Sequence, residues 1–231
     1  MKILDILVPA VCIGVILFSG FKLYQIYKSY AEAAAIYDGV ALYVKEEAGV
    51  GSEDAVAMMH AGFPYLDIDY DSLLDVGCGT GFLIDLLAKD HMADYIGLDL
   101  SPEMIRMAKL KNIQGASFFE GTADKLPFPD EVFDIVTCSQ SFHHYPYQKK
   151  AMEEAYRVLR KGGIYILSDT GIGGIGAWID NHILFKLARS GDCHTMDRRG
   201  IGEMMESVGF KVEDSRQIRK LIYTVKGMKT I

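Results

Sequence analysis

Short apolar runs alternate with amphipathic stretches along the chain from residue 72 onward. The apolar runs are a few residues long, as buried strands are. They predict strands over 73–76, 95–100, 117–120, 133–138 and 164–167, with helices near 82–89, 102–110 and 148–159. Strands and helices that alternate at this spacing predict βαβ units and a parallel sheet covered on both faces.

The pattern changes near the end of the sequence. Residues 195–208 are typical of a helix closed by Gly209, and 211–217 and 221–225 then pair as a hairpin. The hairpin adds an antiparallel strand to the sheet. The predicted fold is therefore α/β, a doubly wound and mostly parallel sheet of seven strands.

The N-terminus is apolar on every side of a helix. Residues 6–21 carry no charge, and with 22–27 they make a stretch of 22 residues, against about 17–25 needed to span a bilayer. We expect 1–28 to be a hydrophobic anchor helix that associates with a membrane through residues 6–27. A buried helix of a soluble fold and a cleaved signal peptide are the alternatives. Residues 29–231 then form the second, globular domain.

Composition narrows the class of partner. The formal net charge is −7, and no run of Lys or Arg exceeds two residues. Nucleic-acid binders usually show a basic stripe, so we expect no nucleic-acid partner. The four cysteines are widely spaced without a C-x-x-C pair, which favours neither a disulfide framework nor a metal site and fits a reducing compartment.

Two glycine clusters follow predicted strands, at 77–81 and at 171–176. The second fits the G-x-G-x-x-G fingerprint of a dinucleotide loop, but no strand ending in an acid follows it. In the first, Phe82 stands where that fingerprint needs its third glycine, which weakens a nicotinamide-enzyme interpretation. Asp75 would repel a pyrophosphate but suits an ammonium group, and Asp99 could accept both hydroxyls of a ribose. The first cluster therefore favours a nucleoside with a positive, amino-acid-like tail.

Four motifs in order then carry a family resemblance: LLDVGCGTG (73–81), GLDLSPEMI (97–105), GTADKLPFPDEVFDIVTCSQSFHH (121–144) and LRKGGIYILSD (159–169). The chain resembles class I S-adenosylmethionine-dependent methyltransferases of the small-molecule type, over about residues 37–225. The resemblance implies a Rossmann-like methyltransferase fold and S-adenosylmethionine as cofactor. It implies methyl transfer to a small acceptor, and the predicted anchor favours an acceptor that is apolar or lipid-like. A non-catalytic module that holds the cofactor as a sensor or scaffold is the alternative.

The resemblance also implies a cofactor-binding set in four short segments. Asp75 corresponds to the acid that organises the glycine turn and the cofactor's amino group, and Asp99 to the ribose acceptor. The family usually has Asp where Thr122 stands, so the N–H of Ala123 is the adenine contact we expect there. The implied set is Asp75, Gly77, Cys78, Gly79, Asp99, Leu100, Thr122, Ala123, Ser139 and Gln140.

Two adjacent histidines follow the fourth predicted strand. His143 or His144 could serve as a general base, because imidazole titrates near neutrality. The alternative is that the pair orients the loop and caps the next helix. Aromatic and histidine side chains could line an acceptor pocket: Tyr145, Trp178, His182, Phe185 and His194. Because S-adenosylmethionine is made in the cytosol, we expect a catalytic domain on the cytoplasmic side of the membrane, with a soluble cytoplasmic protein as the alternative.

Overall fold

The computed structural model describes residues 69–184, 193–218 and 221–230. The predicted anchor at 6–27 and the predicted pocket residue Phe185 lie outside these ranges. Over the described ranges, no helix combines the length and apolar character that a membrane crossing requires.

The described part of the chain forms one seven-stranded sheet. Its strands in chain order are β1 (Ser72–Val76), β2 (Asp94–Asp99), β3 (Ala116–Glu120), β4 (Phe133–Ser139), β5 (Leu159–Thr170), β6 (Phe210–Gln217) and β7 (Ile222–Lys229). The spatial order is β3-β2-β1-β4-β5-β7-β6. The first five strands pair in parallel, whereas β7 is antiparallel to both β5 and β6. The predicted mostly parallel sheet with one antiparallel strand is confirmed.

Helices connect the strands: α1 (Phe82–Leu87), α2 (Pro102–Leu110), α3 (Gln148–Val158), α4 (Gly174–Ile179) and α5 (Arg198–Val208). A 3₁₀ turn covers Phe142–His144, and a π-helical turn, Asp180–Leu184, follows α4. The start of α2 is the predicted one, with Pro102 in the first turn and the hydroxyl oxygen of Ser101 accepting from the N–H of Met104 at 3.2 Å. Gly209 ends α5 in the left-handed region, also as predicted.

Several boundaries differ from the sequence prediction. The third helix ends at Val158 and β5 begins at Leu159, five residues before the predicted strand. At its other end β5 continues to Thr170, although Ser168 and Asp169 are polar. Both side chains are buried, and Ser168 hydrogen-bonds Thr224 of β7 at 2.8 Å. A polar strand end therefore remains in the sheet because its side chains find partners.

The core lies on both faces of the sheet, as the parallel topology requires. One cluster centres on β4, β5 and helices α3 and α5, and a second covers the other face around β1, β2 and α1. At the amino-terminal edge, the carboxylate of Asp134 accepts from the N–H and hydroxyl of Ser72. It also contacts Arg160 at 2.7 Å. Asp134 thus has a structural role at this edge of the sheet.

Candidate active site

The sheet has its switch point at β1. From β1 the chain runs outward through β2 and β3 on one side, then returns to place β4 and β5 on the other. Open α/β sheets bind ligands in the crevice beyond the carboxyl ends of the strands at this point. The glycine turn that follows β1 lies at this crevice.

The turn is held by backbone and carboxylate acceptors of β2. The N–H groups of Gly77 and Cys78 both donate to the carbonyl of Leu98, at 2.7 and 3.1 Å. The N–H of Gly79 donates to Oδ2 of Asp99 at 2.8 Å. Gly77 and Gly79 have φ of 75° and 53°, in the left-handed region that favours glycine. The turn is therefore shaped by Asp99, whereas the resemblance assigned that task to Asp75.

Gly77 lies against the segment that follows β4. A Cβ atom at this position would come within 2.2 Å of the Ser141 hydroxyl and 2.7 Å of the Tyr145 hydroxyl. Those two hydroxyl oxygens are 2.9 Å apart, and that of Tyr145 donates to the carbonyl of Val76 at 3.1 Å. Tyr145 thus packs against the glycine turn, and its hydroxyl is already hydrogen-bonded there.

Two buried carboxyl groups adjoin the turn. Asp75 is 2% exposed, and its Oδ1 accepts from the hydroxyl of Thr137 on β4 at 2.8 Å. Burial raises the pKa of Asp75 to about 7, against the lowering effect of the Thr137 bond. Burial also raises the pKa of Asp99, and the N–H donors of Ser101 and Gly79 counteract that shift. The crevice thus contains two buried acids, and the electrostatic interaction of Asp99 with His144 also acts to lower the pKa of Asp99.

The third predicted segment follows β3. Since Asp99 and Glu120 are paired in register, the carboxyl ends of β2 and β3 lie side by side. The N–H of Gly121 donates to the carbonyl of Asp99 at 2.9 Å, and Thr122 forms an isolated bridge with Lys125. Leu100, Thr122 and Ala123 are all partly exposed at this edge. The structure therefore brings these residues to the edge that carries the glycine turn.

The fourth segment begins where β4 ends at Ser139. Gln140 adopts φ of 53°, a conformation that residues other than glycine seldom use. Its backbone N–H donates to the carbonyl of Ser168 at 2.9 Å. The side-chain Nε2 of Gln140 is buried and has no hydrogen-bond partner among the described residues. A strained residue with an unsatisfied buried donor is the kind of feature that ligand sites retain.

Of the two predicted bases, His143 has a carboxylate partner that the sequence analysis missed. Its Nδ1 lies 2.6 Å from Oδ1 of Asp169, and its backbone N–H donates to Oδ2 of the same residue at 2.9 Å. The rings of His143 and His144 lie 3.9 Å apart. Asp169 is the penultimate residue of β5, the last parallel strand, and an acid at the carboxyl end of a strand is the signal that could have identified it.

The second glycine cluster does not form a ligand cradle. Gly171 packs so closely that a Cβ atom would lie 1.9 Å from the carbonyl oxygen of Met196. A Cβ atom at Gly173 would meet the carboxylate of Asp197 at 2.0 Å. These glycines allow β5 and the short helix α4 to pack on the start of α5. Beyond them, Trp178 is exposed and stacks on His182 at 5.1 Å.

Sequence comparison matches the residues that form this crevice to a known protein family. Residues 74–167, from β1 to β5, match the family described as a methyltransferase domain. This part of the chain belongs to a methyltransferase domain. The matched range contains the glycine turn, Asp99 and both candidate histidines, and S-adenosylmethionine is the cofactor of this class of domain.

Individual proteins that resemble this domain in sequence are also named as methyltransferases. The uncharacterized methyltransferase YcgJ of Bacillus subtilis (strain 168) is 38% identical over 101 residues, which cover 42% of this chain and 40% of that protein. A fatty-acid O-methyltransferase of Mycolicibacterium smegmatis is 37% identical over 117 residues, 50% of this chain and 43% of its own length. The chain thus spans less than half the length of these curated relatives.

A solved structure extends the likeness of the fold. A protein of Thermotoga maritima, described as an S-adenosylmethionine-dependent methyltransferase and possible histamine N-methyltransferase, superposes with a TM-score of 0.65. The match covers 85% of this chain and 99% of the other, at 19% sequence identity. The seven-stranded Rossmann-like methyltransferase fold therefore reaches beyond the matched family range.

The crevice of the methyltransferase domain fits this cofactor. A Cβ atom at Gly79 would meet only the sulfur of Met104, at 4.0 Å, so the backbone there has open space on its outer side. Asp75 offers a buried negative charge to an ammonium group, and Gln140 offers an unsatisfied donor. Both oxygens of Asp99 already accept backbone N–H groups. A carboxylate has about four acceptor sites, which leaves capacity for ribose hydroxyls.

Proposed function

We propose that the protein transfers a methyl group from S-adenosylmethionine to a small, lipid-like acceptor. The observation that carries this proposal is the glycine turn at the switch point, closed by Asp99 and flanked by the buried acid Asp75. An acid at each end of the turn suits a cationic nucleoside and disfavours a pyrophosphate. The similarity to a fatty-acid O-methyltransferase supports the lipid-like class of acceptor.

Different residues of this chain would bind different parts of the cofactor. Asp75 and the turn from Gly77 to Gly79 would hold the amino-acid part of the cofactor, Asp99 the ribose, and the segment of Leu100, Thr122 and Ala123 the adenine. When bound, S-adenosylmethionine supplies an activated methyl group on a sulfonium. Ser139 and Gln140 would then lie beside the transferred group. Holding acceptor and methyl in line at near-attack distance provides most of the rate that such a transfer needs.

The location of the protein is also a proposal. The uncharged stretch of 6–21 and its extension to 27 support a membrane anchor, with residues 29–231 as the methyltransferase domain on the cytoplasmic side. Such an anchor would raise the local concentration of acceptors dissolved in the bilayer. This arrangement would fit the lipid-like acceptor proposed above.

Two measurements on the full chain test the proposed function. Calorimetry with S-adenosylhomocysteine should show binding that Asp99→Asn weakens about tenfold or more, because a charge-assisted bond is lost. Incubation with S-adenosylmethionine and alkyl alcohols, alkylphenols and fatty acids in mixed micelles should release S-adenosylhomocysteine above background. Binding without release from any acceptor class would favour the sensor or scaffold, and absence of binding would refute both.

A further inference from the structure

A histidine and an aspartate are bound to each other beside the glycine turn. His143 lies in the 3₁₀ turn after β4, and Asp169 lies near the end of β5. Their closest atoms, Nδ1 and Oδ1, are 2.6 Å apart. The side chain of Asp169 is 1% exposed and that of His143 is 19% exposed. A buried carboxylate is costly to retain unless it is well hydrogen-bonded, and here the bonds go to His143 and to the N–H of Thr170.

The whole of His143 is held, and not only its ring. Its backbone N–H donates to Asp169, while its carbonyl accepts from the N–H groups of Cys193 and His194 at 2.9 and 3.2 Å. The preceding Gln140 is tied to β5 through the carbonyl of Ser168. The position of the imidazole is therefore set by β5 on one side and by the 193–194 segment on the other. Groups fixed in this way are suited to chemistry that needs a defined geometry.

The bond to Asp169 also selects a tautomer. A carboxylate only accepts hydrogen bonds, so the proton of the neutral imidazole belongs on Nδ1 and the basic lone pair on Nε2. We propose that His143 is the general base of the proposed methyl transfer and that Asp169 is its positioning residue. The inference rests on the proposed function and deepens it, because it specifies which kind of acceptor atom is methylated.

The step conserves atoms and charge. The O–H bond of the acceptor breaks, and its proton passes to Nε2 of His143. The electron pair of the oxygen forms the bond to the methyl group, while the pair of the methyl–sulfur bond stays on sulfur. The positive charge lost from sulfur is recovered as an imidazolium beside Asp169. This buried carboxylate stabilises the cation, as an aspartate does behind the histidine of a catalytic triad.

A base is useful only if the nucleophile arrives protonated. A carboxylate is already ionised at neutral pH, whereas a phenol titrates near pH 10 and an alcohol higher still. The pair of His143 and Asp169 therefore points to a hydroxyl as the acceptor group. This distinguishes the chain from a relative that is named for fatty acids, whose acid group needs no base.

The tautomer can be measured without an acceptor. The full chain, labelled with ¹⁵N in its histidine rings and saturated with S-adenosylhomocysteine, should give a strongly deshielded Nδ1–H proton that is absent from His143→Gln. In Asp169→Asn the amide would donate to Nδ1, so the signal should disappear and His143 should carry its proton on Nε2. A wild-type His143 protonated on Nε2, or a signal unchanged in Asp169→Asn, would overturn the inference.

The acceptor class is tested with two matched probes, 4-octylphenol and 4-octylbenzoate. His143→Gln should lower turnover of the phenol by about 100-fold or more, and that of the benzoate by less than about threefold, with affinity for S-adenosylhomocysteine unchanged. Asp169→Asn should follow the same pattern, and exposed Asp90→Asn should change neither. Equal losses on both probes, or wild-type turnover of the benzoate alone, would refute the assignment. Failure of the wild type to bind S-adenosylhomocysteine would instead refute the proposed function, and the ring protons would still report on the pair.

Discussion

Replacement of Asp75 by Asn should stabilise the protein while weakening its hold on the cofactor. Asp75 is fully inside the sheet, and burial raises its pKa from 3.8 to about 7. At about 1.36 kcal/mol per pKa unit, holding this carboxylate ionised above pH 7 costs about 4 kcal/mol of folding free energy. Asn has the same shape and still accepts the hydroxyl of Thr137, so the substitution removes mainly the charge.

The sign of the pH dependence follows from the direction of the shift. The folded protein binds the Asp75 proton more tightly than the unfolded chain, so this contribution to stability is fully present below pH 3.8 and is lost as pH rises towards 7. From pH 5.5 to pH 8.5, the stability advantage of Asp75→Asn should therefore grow by about 2 kcal/mol. Without the carboxylate, affinity for S-adenosylhomocysteine at pH 8 should fall about tenfold or more.

Urea unfolding of the ligand-free protein at several pH values measures the first effect, and calorimetry at pH 8 measures the second. Exposed Asp90→Asn is the matched control and should change neither quantity beyond about 0.5 kcal/mol. The reasoning fails if Asp75→Asn is less stable than the wild type at pH 8, or if its advantage does not vary with pH. Unchanged affinity would separate Asp75 from the cofactor.

Three further outcomes are expected. Gly77→Ala should lower the free energy of unfolding by about 2–4 kcal/mol, because the new Cβ would meet Ser141 at 2.2 Å in a left-handed conformation. In the same urea titration, Gly202→Ala should raise it by about 0.5–1 kcal/mol, because a Cβ at this position inside α5 meets nothing within 4 Å. Gly174→Ala should leave affinity for S-adenosylhomocysteine within about twofold by calorimetry, and a large loss in a folded variant would reinstate the second glycine cluster as a cofactor loop. Deletion of residues 1–28 should move the protein from the membrane fraction to the aqueous fraction with cofactor binding intact; a full chain that is aqueous without detergent would contradict the anchor.

The sheet could be predicted because the sequence features that specify its strands and helices are local. The central parallel strands β1 and β4 are short apolar runs buried on both faces, whereas β3 at the edge of the sheet buries only Phe118. The cap at Ser101 and the glycine end of α5 mark helix boundaries in the sequence itself. The choice of glycine cluster was also accessible, because Phe82 and Asp75 are incompatible with a pyrophosphate loop. The structure places the two clusters accordingly, one at the switch point and the other packed on α5.

The contacts within the site were less accessible, because they join residues far apart in the chain. Asp99 reaches back twenty residues to Gly79, and Asp169 reaches twenty-six residues to His143. The polar end of β5 gave no apolar signal, so the strand was predicted to stop before Asp169. Such partners are fixed by the register of neighbouring strands, and a hydrophobic pattern does not reveal that register.

The position of β7 has a consequence for the order in which the sheet can be completed during synthesis. β7 follows β6 in the chain but lies between β5 and β6, pairing with both. Among the described strands β6 has no other neighbour, so it cannot join the sheet until β7 has left the ribosome. Until then the nascent sheet exposes the edge of β5, which carries Asp169. An open edge of this kind invites aggregation, so slow translation of 222–229 should make the newborn chain depend on chaperones.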